Sequence, residues 1–88
     1  MKWECPCCGY YTLKTTLIDS LGYICPVCFW EMDTFIVNET EQSDQNHGLT
    51  LLQAQDNFIK MGACCKEMIC HVRPPNEEER TGPKERHD

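Results

Sequence analysis

An 88-residue chain with a formal charge of −6 and eight cysteines makes one domain. A chain of this size buries only ~60% of its unfolded surface, so a covalent or metal staple is expected to hold it. The acidic balance argues against sequence-independent nucleic-acid binding, which needs a basic face: residues 1–48 carry two basic groups against seven acidic ones.

The elements follow in chain order. Trp3 and the stretch Tyr10–Leu13 suit short strands on either side of Cys5-Pro6-Cys7-Cys8-Gly9. This is a small hairpin with a cysteine turn at its tip. After a polar stretch broken by Leu17 and Ile18, Ser20-Leu21-Gly22 signals a turn. Tyr23-Ile24 then enters Cys25-Pro26-Val27-Cys28 and the chain leaves through Phe29-Trp30. Phe29 stands where the first turn has Gly9, so the second turn is not expected to be an identical copy, and packing of Phe29, Trp30, Tyr23 and Tyr10 as a roof over the thiolates is the expected compensation. Phe35-Ile36-Val37 has strand-like composition, and Asn38–Gly48 reads as a polar acidic loop. Thr50 and Gln53 fit a capping box, apolar residues at 51, 52, 54, 58, 59 and 61 form a helical stripe, and Gly62 is placed to end the helix. Ala63–Val72 reads as a shorter helical segment stopped by Pro74-Pro75. Residues 1–37 are thus a metal-binding knuckle region, 38–48 an acidic loop, and 49–73 a helical segment packed on the knuckles within one domain. Residues 74–88 are expected to be a polar, disordered tail.

The chemistry lies in the spacing. Cys5, Cys8, Cys25 and Cys28 form C-x2-C-x16-C-x2-C, which brings four thiolates to the corners of one tetrahedral ion. One Zn(II) per chain is the default cofactor, and a single iron suits the same four sulfurs. Cys7, between two ligands, is open to three readings: a redox-sensing or ligand-exchanging thiol, a small residue pointing out of the turn, or a replacement for Cys8 as ligand, though C-x-C matches the second pair less well than C-x2-C. Cys64, Cys65, Cys70, His47 and His71 either build a second metal site or are core and incidental groups. Glu31 and Asp33 read as a solvated face or as partners for Arg73, whose guanidinium can fork a carboxylate and tie the C-terminus to the knuckles. No nucleophile–base arrangement stands out, so the expected function is not enzymatic.

Cys5-Pro6-Cys7-Cys8-Gly9-Tyr10 and Tyr23-Ile24-Cys25-Pro26-Val27-Cys28-Phe29-Trp30-Glu31 resemble the bacterial cysteine-rich CPCC family. So do Asn46-His47-Gly48-Leu49-Thr50-Leu51, Ala54, Asn57-Phe58, Gly62-Ala63 and Val72-Arg73-Pro74. The resemblance covers roughly residues 3–75 and implies a small bacterial metal-binding protein with no particular activity. The chain departs from the pattern at Cys64, Cys65 and Cys70.

The combined expectation is a small α+β fold. A zinc-ribbon or rubredoxin-like knuckle pair rides on short β-hairpins, with one packed C-terminal helix and a short helical segment. No stretch approaches the ~20 apolar residues of a membrane span, and no apolar run follows Lys2 as a secretory leader requires. The expected compartment is therefore the reducing cytoplasm, where paired cysteines read as metal ligands rather than bridges. The expected role is a zinc-binding interaction or regulatory module whose partner is another protein, met by Phe29, Trp30, Phe35 and residues 39–44 of the acidic loop. The alternative is rubredoxin-like iron electron transfer or thiol redox sensing.

Overall fold

Two short antiparallel bridges begin the architecture. Trp3 and Leu13 exchange backbone hydrogen bonds of 2.9 and 3.1 Å, and Ile24 pairs with Glu31. Each bridge closes the base of one cysteine turn. The computed structural model describes residues 2–16 and 18–81; Leu17, His87 and the rest of residues 82–88 lie outside the described residues. Among the described residues no helix is long and apolar enough to cross a membrane.

The stretch expected to be an acidic loop is folded. Strand β1 (Gln42–Ser43) pairs antiparallel with β2 (Leu49–Thr50), and a 3-10 turn over Asp44–Asn46 joins them. Asn46 fixes this hairpin to the second knuckle by acting as a strand would. Its Oδ1 accepts the Glu31 N–H at 2.8 Å and its Nδ2 donates to the Glu31 carbonyl at 2.8 Å and to Ser43 Oγ at 2.9 Å. Ser43 Oγ in turn donates to the Asp33 carboxylate at 2.6 Å. Ser43 and Asn46 are both buried, and every one of these polar groups is paired. Phe35-Ile36-Val37, expected as a strand, is instead a turn and coil with Phe35 and Val37 exposed. Its backbone is diverted by side chains: Asp33 accepts the Phe35 N–H, and Glu41 accepts the Val37 N–H.

Helix α1 (Leu51–Met61) starts as its sequence predicts. Thr50 Oγ1 accepts the Gln53 N–H, the Gln53 side chain accepts the Thr50 N–H, and Gly62 closes the helix at φ 81°. Only Leu51, Ala54 and Phe58 face the core; Leu52, Ile59 and Met61 are exposed. The narrower stripe, at i, i+3 and i+7, is one true helical face. Tyr10 meets Phe58 edge-on at 6.2 Å, and Gln55 donates to the Pro6 carbonyl at 2.8 Å, so α1 docks on the first knuckle. Asn57 faces the segment after the helix, donating to the Cys64 carbonyl.

From there the chain laces across both knuckles. Cys64 N–H donates to the Cys28 carbonyl at 2.8 Å, and a 3-10 helix runs over Lys66–His71. Arg73 N–H then donates to the Pro26 carbonyl at 3.2 Å. The expectation of a disordered tail from residue 74 is corrected for residues 74–81. Helix α2 (Glu77–Thr81) is present, and Tyr11 N–H donates to the Glu79 carbonyl at 2.8 Å. The physical reason is the fork expected of Arg73, which closes on Glu79 rather than on Glu31 or Asp33. Both guanidinium nitrogens reach the Glu79 carboxylate at 2.9 Å, and the Asn76 N–H adds a third bond. Buried Glu79 is thereby satisfied, and its carboxyl is held below the usual range by the Arg73 guanidinium.

The core gathers at the end that carries the two cysteine turns. Leu13, Val27, Trp30 and Met32 are fully buried alongside Cys5, Cys25 and Cys28. Trp30, expected on an interaction surface, is 1% exposed and belongs to this core. Its indole lies inward because Cys25 N–H and the Ile24–Glu31 bridge fix the strand that carries it.

Candidate metal centre

The two cysteine turns are backbone copies. In the first, Gly9 N–H donates to the Cys5 carbonyl and Cys5 N–H to the Tyr10 carbonyl, at 2.9 and 2.8 Å. In the second, Phe29 N–H donates to the Cys25 carbonyl and Cys25 N–H to the Trp30 carbonyl, at 2.8 and 3.0 Å. The expected difference between the turns does not arise. Phe29 adopts φ 68°, close to the φ 80° of Gly9, accepting a left-handed conformation that L-residues avoid. Its ring stacks on His71 at 5.3 Å with planes 28° apart, which offsets part of that strain.

Facing each other, the turns bring the sulfurs of Cys5, Cys8, Cys25 and Cys28 within 4.8 Å of one another. Cys5 to Cys28 is 3.7 Å and Cys8 to Cys25 is 3.8 Å. An ion held at ~2.3 Å by four tetrahedral thiolates sets its sulfurs ~3.8 Å apart, so the set fits a metal ion. Cys5, Cys25 and Cys28 are fully buried and Cys8 partly so.

Electrostatics within the set point the same way. The Cys25 thiol is pushed down by hydrogen bonds from Cys28, Cys5 and Cys8, with the Thr12 hydroxyl adding to them at 3.2 Å. Cys8 and Cys28 are pushed up, first by their hydrogen bonds to Cys25. A bound cation would take all four sulfurs as thiolates. Thr12 was not anticipated from sequence. It is held by Tyr23, whose hydroxyl donates to the Thr12 carbonyl at 3.2 Å and whose phenol burial pushes up. The available signal was a hydroxyl residue within the apolar stretch Tyr10–Leu13.

The remaining thiols separate by burial. Cys7 does not point out of its turn; it is 6% exposed and packs in the core cluster with Cys64 and Cys65. Burial, then the proximity of Cys65 and Cys7, pushes the Cys64 thiol up to about 12, so it stays protonated near neutral pH. Cys70 is exposed and His71 lies on Phe29. Among the described residues, Cys5, Cys8, Cys25 and Cys28 are the one group of three or more ligands that converges, so the alternative second site is not assembled. No cysteine among the described residues is in a disulfide.

No curated protein and no solved structure matches the chain. The family profile described as cysteine-rich CPCC matches residues 3–79, from the first knuckle strand to the glutamate that Arg73 grips, and the chain belongs to that family.

Proposed function

We propose that the protein is a zinc-stapled, non-enzymatic interaction module working in a reducing compartment such as the cytoplasm. The observation that carries this is saturation of the site. Four sulfurs with paired separations of 3.7 and 3.8 Å supply every corner of a tetrahedron, three of them fully buried. An ion so enclosed keeps no open position for water or substrate and acts structurally. Two matching turns closing on that ion support a zinc-ribbon-like classification, and the small core around it explains why such a staple is needed. The surface available to a partner is then the exposed apolar and acidic side at residues 33–44, with Phe35 73% exposed. Of the residues first expected there, Phe29 is engaged by His71, and Trp30 is core. Burial of Cys7 argues against a redox-sensing thiol that must meet oxidant.

The test is elemental analysis with an absorption spectrum on protein purified without added metal. One zinc per chain and no colour is the expected result. One iron with visible thiolate-to-iron bands would move the protein to rubredoxin-like electron transfer, since four thiolates suit that ion equally. Metal-free protein with paired cysteines would overturn both readings.

A further inference from the structure

One side of the molecule carries an open groove of about 320 Å³. Buried Trp30 and Met32 form its floor, Pro6 of the first knuckle and Leu51 of α1 its walls, and Ile18 and Val37 stand on its rim at 81% and 83% exposure. Phe35 continues the apolar surface beyond Ile36, where it lines the adjoining depression with Asp33 and Glu41. The groove can hold large aliphatic or aromatic side chains from outside the molecule, and its rim presents apolar area to water that a partner would cover.

Charge selects the partner. Asp33 and Glu39 line the groove, Asp19 follows Ile18, and Glu41 holds the Val37 N–H. No Lys or Arg occurs anywhere from residue 15 to residue 59, while that stretch carries seven Asp and Glu. Every lining residue except Pro6 comes from this stretch. A second copy placed groove to groove would set like charges against each other, and an anionic membrane surface would be repelled as well. Residues 82–88 of this chain, Gly-Pro-Lys-Glu-Arg-His-Asp, offer charge but no large apolar side chain. What fits both the cavity and the field is an apolar anchor flanked by cations.

We propose that this groove is a docking site for a short linear segment of another protein, in which a large aliphatic or aromatic residue is flanked by Lys or Arg. The proposal rests on the interaction-module reading and adds the location and the chemistry of the partner. The apolar residue fills the space over Trp30 and Met32, and the flanking cations pair with Asp33, Glu39 and their neighbours. Binding is therefore salt-sensitive but depends on the anchor for its affinity.

The experiment is selection of a random-peptide display library on the metal-loaded full chain, followed by affinity measurements on the peptides recovered. An Ile18→Lys/Val37→Lys double variant serves as the comparison. Both positions are exposed, so the variant is expected to keep its fold and its metal, checked by circular dichroism and metal content. The expected result is enrichment of peptides with an apolar residue between Lys or Arg. These should bind the variant at least tenfold more weakly, and should also weaken when the apolar residue is changed to Ser or the salt is raised. Peptides that bind wild type and variant equally would overturn the groove while leaving an interaction module intact. Peptides of another composition that still require Ile18 and Val37 would overturn the cationic partner. Self-association that buries the groove, seen by light scattering and abolished in the variant, would replace the partner by a second copy. No binder on either protein would overturn the groove and count against the interaction module itself.

Discussion

Position 29 allows backbone strain to be separated from side-chain packing by two substitutions. Phe29 holds φ 68°, and a Cβ in that region costs roughly 1–2 kcal/mol. Against this stand the stack on His71, worth about 0.5–1.5 kcal/mol, and about 1 kcal/mol from half-burying the ring. Phe29→Ala removes the ring but keeps the Cβ, so the strain stays and about 2 kcal/mol of stability is lost. Phe29→Gly removes both ring and strain, and the greater entropy of glycine in the unfolded chain offsets about 0.4–1 kcal/mol of the relief. The glycine variant should therefore be more stable than the alanine variant by about 0.5–1 kcal/mol, the reverse of their order within a helix. The matching Gly9→Ala should destabilise by about 1 kcal/mol, because φ is 80° there while a Cβ would meet only open space. The assay is urea unfolding of metal-loaded protein at fixed free metal, followed by tryptophan fluorescence. An alanine variant as stable as the glycine variant, or more so, would refute the argument that the second turn is strained to copy the first.

Chelation of the metal should abolish the cooperative thermal transition, because the cysteines it leaves are the centre of the core; a sharp transition surviving in metal-free protein would contradict this. Glu79→Gln should cost about 1.5–3 kcal/mol at neutral pH through loss of the charged fork. Because folding depresses the Glu79 pKa, its stabilisation is full above the unfolded value near 4.5 and disappears as pH falls through the folded value. The stability difference between wild type and this variant should therefore shrink in acid, and a difference independent of pH would count against the fork. Asn46→Ala should cost about 1–3 kcal/mol, since it leaves the partly buried Glu31 N–H and carbonyl unpaired; a change within 0.5 kcal/mol, typical of surface sites, would show that water replaces it.

Signals carried by neighbours in the sequence were legible. The cysteine spacing located the four-sulfur cluster, and Thr50, Gln53 and Gly62 bounded α1, because each cysteine pair and each cap acts within a turn or two of chain. Arg73 announced a fork, but its choice of Glu79 over Glu31 or Asp33 depended on how the chain returned after Pro74-Pro75. Features decided by distant contacts were hidden. A phenylalanine gives no local hint of a left-handed backbone; Phe29 adopts it because the facing turn demands the same path. Asn46 looks like any loop asparagine until Glu31 is placed beside it. Trp30 and Phe35 have similar composition around them, yet one became core and the other surface because the hydrogen bond that the Phe35 N–H donates to the Asp33 side chain redirected the chain between them.

The lacing by residues 64, 73 and 79 over Cys28, Pro26 and Tyr11 implies an order of assembly. Ion capture is comparatively local, since its outermost ligands, Cys5 and Cys28, are only 23 positions apart. The lacing joins the far end of the chain to its beginning and is the slower closure to make. A nascent chain on the ribosome therefore has all four sulfurs available well before Glu79 emerges. An ion bound in that interval would lack its outer wrapping, which would make synthesis the stage at which the choice of metal is most open to exchange.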